Sequence, residues 1–203
     1  MKIYFARHAE SEANISNVIS NRGWQHPLTE NGKQQAEHLG ERLKEAGISG
    51  IFASPIMRAI HTAQIVGEVI KAPVAAADAL REFDCGAMEG RSDNEAWFEV
   101  GHAMRQWLEQ GDLDYRISAG ESYSEVLERF RLFITKVIAI GGEGSFLFVS
   151  HGGTLRLALP QVIKDLSPTL YQDHFFNYTD YAVTEVVEGS LVCVEWCGQR
   201  TTS

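Results

Sequence analysis

The chain has 203 residues, of which 44% are hydrophobic and 22% charged. This length is enough to bury a sizeable core in one large α/β domain. The 27 acidic residues outnumber the 18 basic ones and give a net charge of -9. Such a surface repels nucleic acids and anionic membranes, so we expect neither as a partner. Any anionic substrate must therefore be held by locally placed cations.

The cysteines and the first residues predict a cytoplasmic protein. Cys85, Cys193 and Cys197 are odd in number and lack metal-ligand spacing, which argues against a disulfide framework and a zinc site. The apolar stretch at 3–5 is too short for the core of a signal peptide, and no apolar run is long enough to span a membrane. We expect reduced thiols and no bound metal.

The first half of the chain alternates strands and helices. The predicted elements are strand 2–6, polar loop 14–27, helix 29–47, strand 51–53 and a helix that begins at 54–55. Thr29 has the position of an N-cap and Gly47 that of a helix stop. Ser54 is predicted to cap the next helix, with Pro55 in its first turn.

The second half continues the alternation and ends in a hairpin. The predicted elements are loop 80–90, a helix after 92, an acidic connection over 111–120, a helix after 122, strand 146–150, helix 154–163 and strands 182–187 and 191–196. Ser92 with Glu95, and Ser122 with Glu125, have the spacing of capping boxes. This order predicts a single domain over 1–203. Its fold class is a three-layer α/β/α sandwich, with a mostly parallel sheet, one antiparallel edge strand and a helical lid insertion at 91–120.

Cationic and imidazole side chains follow three of the predicted strands. They are Arg7 with His8, Arg58 shortly after strand 51–53, and His151 with Gly152 after strand 146–150. Ligands bind beyond the carboxyl ends of strands in such sheets, so these residues are expected to converge. Phosphoryl transfer needs a nucleophile, positive charge around the phosphoryl oxygens and a proton for the leaving oxygen. A neutral imidazole can be that nucleophile.

The motifs that carry these residues resemble the histidine phosphatase superfamily, which includes cofactor-dependent phosphoglycerate mutase. They occur in the family's order at 7–14 (RHAESEAN), 28–36 (LTENGKQQA), 54–59 (SPIMRA), 80–90 (LREFDCGAMEG), 120–122 (GES) and 150–153 (SHGG). Two positions depart from the family pattern. Ala9 replaces a common Gly, and residues 20–23 (SNRG) stand where Gln-Gly is usual.

The resemblance implies a role for each site residue. His8 forms the phosphohistidine, and Glu82 is the proton donor and later the base. The phosphoryl group is bound and stabilised by Arg7, Arg58 and His151. Phosphate-site contacts are expected from Asn14, Asn21 and Gly152. The remaining histidines are expected at surface or packing positions: His26, His38, His61, His102 and His174.

Hydrolysis of a small phosphorylated metabolite, without metal or other cofactor, is the leading interpretation. A phosphoglycerate mutase is the alternative, although family members with that activity are usually longer. A phosphoprotein phosphatase or a binding module is a third class, and the predicted lid argues against the former because it restricts access. Specificity is expected in 91–120, where Arg105 and Arg116 are candidates for a second anionic group and Trp97, Phe98 and Trp107 for an apolar one. The sequence leaves open whether the chain is a homo-oligomer.

Overall fold

One mixed β-sheet runs through the molecule in a computed structural model that describes residues 1–141 and 144–201. Within these residues the strands are β1 (Lys2–Arg7), β2 (Ile48–Ala53), β3 (Val74–Ala76), β4 (Ser145–Ser150), β5 (Ile163–Lys164), β6 (Tyr181–Val187), β7 (Ser190–Trp196) and β8 (Gln199–Arg200). Their order is β3-β2-β4-β1-β6-β7-β5, with β8 on β7. The first four strands of this order are parallel, as predicted.

The antiparallel part of the sheet is larger than the single edge strand expected. Strand β6 runs antiparallel to β1, and β7 pairs with β6 through the predicted hairpin. The short β5 then pairs with β7 in parallel, and β8 pairs with β7 antiparallel. Because these additions lie on the far side of β1, they leave β1 central in the sheet.

Helices cover both faces of the sheet and confirm the three-layer prediction. The helices are α1 (Glu12–Ile15), α2 (Glu30–Leu43), α3 (Met57–Ile70), α4 (Asn94–Arg105), α5 (Tyr123–Ile140), α6 (Gly152–Val162) and α7 (Pro168–Asp173). Alternate residues of β1 point to opposite layers, as the two-residue period of a strand requires. Ile3 and Phe5 pack in the cluster with α5 and α6, whereas Tyr4 and Ala6 pack in the cluster with α2 and α3.

Local capping signals predicted two helix starts correctly and two wrongly. The Thr29 side chain caps α2, and Ser122 with Glu125 forms the capping box of α5. The helix after Ser92 instead begins one residue later, because the Asp93 carboxylate accepts from its first turn. Ser54 does not cap α3 either, since the extended residue Ile56 occupies the N-cap position and α3 begins at Met57.

The segment 91–120 contains helix α4 and packs against loop 80–90. Its role as a lid insertion stays a prediction. Helix α4 continues into a wider helical turn over Gln106–Gln110, followed by an irregular stretch. Val100 and Trp107 of this segment are buried against Phe83 and Cys85 of loop 80–90. None of the helices in the described part of the chain is both long and apolar enough to cross a membrane.

Candidate active site

The carboxyl ends of β1 and β4 lie side by side in the sheet. Arg7 and Ser150 are paired in register, so His8 and His151 follow at the same edge. Their ring centroids are 5.1 Å apart. Arg58, in the first turn of α3, donates from Nε to His8 Nε2 at 3.0 Å. The structure therefore brings these predicted site residues together.

His8 is a buried, neutral imidazole. Its Nδ1 lies 2.7 Å from the carbonyl oxygen of Ala9. Because a carbonyl only accepts hydrogen bonds, Nδ1 carries the proton and Nε2 has the lone pair. Burial, followed by the positive charges of Arg58 and Arg7, holds the pKa of His8 well below its ordinary value of 6.5. Nε2 is thus a competent nucleophile at neutral pH.

Two guanidinium groups provide the positive charge at this site. Arg58 also donates to the carbonyl of Ser20, and burial lowers its pKa to about 10, which leaves it charged at neutral pH. Arg7 donates from Nη1 to the carbonyl of Phe176 at 2.9 Å, and its guanidinium carbon lies 4.5 Å from the ring centre of Tyr178. The Nε of Arg7 is buried and meets no acceptor among the described residues.

His151 is fully buried and oriented by Ser54. Its Nε2 lies 2.7 Å from Ser54 Oγ, which itself accepts from the backbone N–H of Ile56. The Ser54 hydroxyl can therefore donate to Nε2, an arrangement that places the His151 proton on Nδ1. Burial, then the charges of Arg58 and His8, holds the pKa of His151 well below 6.5. Its Nδ1 has no partner among the described residues.

Glu82 is held at the start of α6. Its carboxylate accepts from the backbone N–H of Gly153 at 3.0 Å and of Thr154 at 2.7 Å. The hydroxyl of Thr154 lies 2.9 Å from the same carboxylate. A Cβ added at Gly153 would stand 2.8 Å from Glu82 Oε1 and 2.5 Å from Phe83 Cε1. Glycine at this position is therefore required for the helix start to approach the carboxylate.

The three expected phosphate-site residues line the same cavity. Asn14 Oδ1 accepts from the backbone and hydroxyl of Ser11. Asn21 Nδ2 donates to the Phe83 carbonyl at 2.9 Å, so this side chain holds loop 80–90. Gly152 lies against Arg7, since an added Cβ would be 3.3 Å from Arg7 Nε. A direct contact of any of them with phosphate stays a prediction.

Several supporting residues escaped the sequence interpretation. The sequence predicts a helix cap at Ser54 and an ordinary helical position at Thr154, and neither prediction reveals their contacts with His151 and Glu82. Arg129 of α5 pairs with Glu121 at 2.9 Å and donates to the carbonyl of Ala79. The GES motif at 120–122 was a detectable signal for Glu121, but its partner on α5 was not visible in the sequence.

The site opens into a cavity of about 350 Å³. Trp97, Val100 and Met104 of α4 contribute an apolar wall. Of the other specificity candidates, Trp107 is buried behind Phe83 with their rings edge to face. The remaining three lie outside the lining: Phe98, Arg105, which stacks on Phe98, and Arg116, which pairs with Glu125. His174, expected at a surface or packing position, lines the cavity.

The donor set suits an anion. Among the described residues no group of three or more His, Cys, Asp or Glu side chains could hold a metal ion. An unprotonated imidazole, two guanidiniums and a neighbouring carboxyl instead define an anion site equipped for nucleophilic and acid–base chemistry.

The chain belongs to the histidine phosphatase superfamily (branch 1), whose sequence model matches residues 3–198. The resemblance drawn from the motifs is thereby confirmed. The chain is 33% identical over 169 residues to a probable phosphoglycerate mutase GpmB of Proteus mirabilis, covering 80% of this chain and 75% of the relative. The GpmB protein of Klebsiella pneumoniae (strain 342) is similar to the same extent.

Solved structures share the fold along nearly the whole chain. YhfR of Bacillus stearothermophilus superimposes with a TM-score of 0.81 at 26% identity, covering 98% of both chains. A mycobacterial glucosyl-3-phosphoglycerate phosphatase gives a TM-score of 0.82 at 20% identity, covering 98% of this chain and 99% of that one. The α-ribazole phosphatase of Shigella flexneri gives 0.79 at 23% identity, covering 100% and 98%. The last two similarities concern the fold alone.

Proposed function

We propose that the protein is a phosphatase that hydrolyses small phosphate monoesters through a phosphohistidine on His8. The observation that carries the proposal is the 3.0 Å bond from Arg58 Nε to the unprotonated Nε2 of His8. Three buried side-chain nitrogens among the described residues lack a partner, and two of them belong to Arg7 and His151 beside this bond. A phosphate dianion offers acceptors that such donors need.

In the first step His8 attacks phosphorus. A phosphate oxygen takes over the Arg58 donor, which frees the Nε2 lone pair. The P–N bond forms as the P–O bond to the alcohol breaks, and Glu82 transfers its proton to the leaving oxygen. The ring becomes positively charged, and the bond from its Nδ1–H to the Ala9 carbonyl stabilises that charge.

In the second step a water molecule hydrolyses the phosphohistidine. The Glu82 carboxylate removes a proton from the water molecule. At the same time the oxygen of that water attacks phosphorus and the P–N bond breaks. Inorganic phosphate leaves, Glu82 is protonated again, and His8 returns to its neutral form. Arg7 and Arg58 neutralise charge on the phosphoryl oxygens in both steps, so the mechanism requires neither metal nor other cofactor.

The cavity supports a small phosphorylated metabolite as substrate. Its volume of about 350 Å³ lies within the range of small-molecule sites, about 300–1,000 Å³. The wall that α4 provides also argues against phosphoproteins, which need an open approach to the nucleophile. We further infer a cytoplasmic location, supported by the free thiols of Cys85, Cys193 and Cys197.

Leaving groups of different acidity test the role of Glu82. We expect Glu82→Gln to lower kcat/KM for an alkyl phosphate by about 10²–10⁴-fold, because the alkoxide needs a proton in the transition state. The loss should be much smaller for p-nitrophenyl phosphate, since nitrophenolate leaves without one. Phosphate release should be followed in steady state with both substrates. Equal losses on the two substrates would contradict the assignment of Glu82 as the acid.

The nucleophile and the absence of a metal requirement are tested in the same assay. His8→Ala should abolish turnover of both substrates, and excess EDTA should leave the wild-type rate unchanged. Unaltered turnover in His8→Ala would refute the phosphohistidine, and inhibition by EDTA would refute metal-independent chemistry.

A mutase is the second candidate because the relatives at 33% identity are described as probable phosphoglycerate mutases. A mutase must return the phosphoryl group from His8 to a second alcohol before water reaches it. Incubation with 3-phosphoglycerate distinguishes the activities. Release of inorganic phosphate supports the phosphatase, whereas conversion to 2-phosphoglycerate without phosphate release supports the mutase.

A further inference from the structure

The cavity continues beyond the phosphate site between α6, α7 and the loop after α7. We call this part the Arg156 lobe, and it is lined by Arg156, Tyr171, His174, Phe175 and Phe176. The lobe shares a wall with the phosphate site. The carbonyl of Phe176 accepts a hydrogen bond from Arg7. The Phe176 ring packs edge to face on Trp196, with ring centroids 5.0 Å apart.

Arg156 lines the same cavity as His8. It lies four residues after Gly152 on α6, which puts both on the same helix face, about 6 Å apart along the axis. Gly152 itself lies against Arg7. Because Gly152 and Arg156 line one cavity about a helical turn apart, one small ligand can reach both.

The guanidinium of Arg156 is available for an anion. Its central carbon stacks 4.4 Å from the ring centre of Phe175, which leaves the N–H groups at its edge free to donate. Among the described residues no carboxylate forms an ion pair with it. Glu82 is the one acidic residue among those that line the cavity, against Arg7, Arg58 and Arg156.

We propose that the Arg156 lobe binds a second anionic group, carried by the alcohol portion of the phosphate ester. The inference rests on the proposed phosphatase function and narrows its substrate class to monoesters that bear a carboxylate or a second phosphate. It assigns to Arg156 the role that the sequence had suggested for Arg105 and Arg116, which lie outside the cavity lining. The planar fork of Arg156 matches two oxygens of such a group.

Binding of phosphonates tests this proposal without turnover. The matched probes are 4-phosphonobutyrate and butylphosphonate, which differ in the terminal carboxylate. Each is titrated into the 203-residue protein in a calorimeter. We expect the wild type to prefer the carboxylate probe about tenfold, as for a charge-assisted hydrogen bond. Arg156→Gln should abolish that preference and leave the affinity for butylphosphonate unchanged. A 1,4-butanebisphosphonate arm shows whether a second phosphonate replaces the carboxylate.

Arg105→Gln is the matched control, because Arg105 also stacks on an aromatic ring, that of Phe98, but lies outside the lining. It should retain the wild-type preference. No preference in the wild type for either anionic probe, an unchanged preference in Arg156→Gln, or equal losses for all probes would overturn the proposal. Such results would leave the phosphatase function standing, since that depends on whether His8→Ala abolishes hydrolysis.

Discussion

Lowering the pH from about 7.5 to about 5.0 should destabilise the fold through its two buried imidazoles. His8 and His151 both have pKa values held well below 6.5, first by burial and then by Arg58. In the unfolded chain each imidazole regains a pKa of about 6.5. Between that value and the folded pKa, the unfolded chain binds more protons, so the free energy of unfolding falls as the pH falls.

The size of the effect follows from this proton uptake. At pH 5.0 protonation of one unfolded imidazole contributes at most about 2 kcal/mol, so the two together lower the free energy of unfolding by at most about 4 kcal/mol relative to pH 7.5. A hydrogen bond from Arg91 lowers the pKa of the Asp93 carboxyl, and one from Arg116 lowers that of the Glu125 carboxyl. Their contribution to the free energy of unfolding is lost only below about pH 4.5, which is outside the range from pH 7.5 to 5.0.

Urea unfolding of variants assigns the effect to its source. His8→Asn removes one of the two buried imidazoles, so the loss of unfolding free energy between pH 7.5 and 5.0 should shrink, by at most about 2 kcal/mol. His38→Asn removes an exposed imidazole and should show the wild-type loss. A pH dependence in His8→Asn equal to that of the wild type would refute the burial of a neutral His8.

Two further variants test the placement of loop 80–90, which carries Glu82. Gly153→Ala brings a Cβ to 2.8 Å from the Glu82 carboxylate. Because this contact displaces the carboxylate, kcat/KM for an alkyl phosphate should fall at least about tenfold. Gly101→Ala, where the nearest atom is 3.6 Å away, should match the wild type, and equal rates in both would contradict the close approach. Arg129→Gln removes the hydrogen bonds to the backbone carbonyls of Ala79 and Glu82. It should lower kcat about tenfold and leave KM unchanged. Arg131→Gln, an exposed change on the same helix, is the control; a rise in KM alone would exclude a positioning role.

The convergence at the active site was predictable because it follows from topology. Parallel strands present their carboxyl ends at one edge of a sheet, so Arg7, His8 and His151 had to meet once β1 and β4 were parallel neighbours. The capping box of Ser122 and Glu125 was predictable for a different reason. Its two residues are three apart in the chain and form their bonds within a single helical turn.

Contacts between distant segments were not predictable from spacing. The position of Ser54 before Pro55 predicts a helix cap, but its hydroxyl forms a hydrogen bond with His151, 97 residues later in the chain. Arg7 and Phe176 are 169 residues apart, and no periodicity relates them. This contact holds the loop after α7, which carries His174, beside Arg7 and the cavity.

The polar groups at the site support an anionic ligand independently of the family resemblance. Burying a donor without an acceptor costs about 1–3 kcal/mol, yet Arg7 Nε and His151 Nδ1 are both buried with no acceptor in the part of the chain that the structure describes. Burial also opposes the charge of Arg58, whose pKa falls to about 10. These unfavourable features lie together around His8 Nε2, in a chain whose net charge is -9. A tetrahedral oxyanion bound beside Nε2 would offset them, because it would supply acceptors and negative charge to these donors.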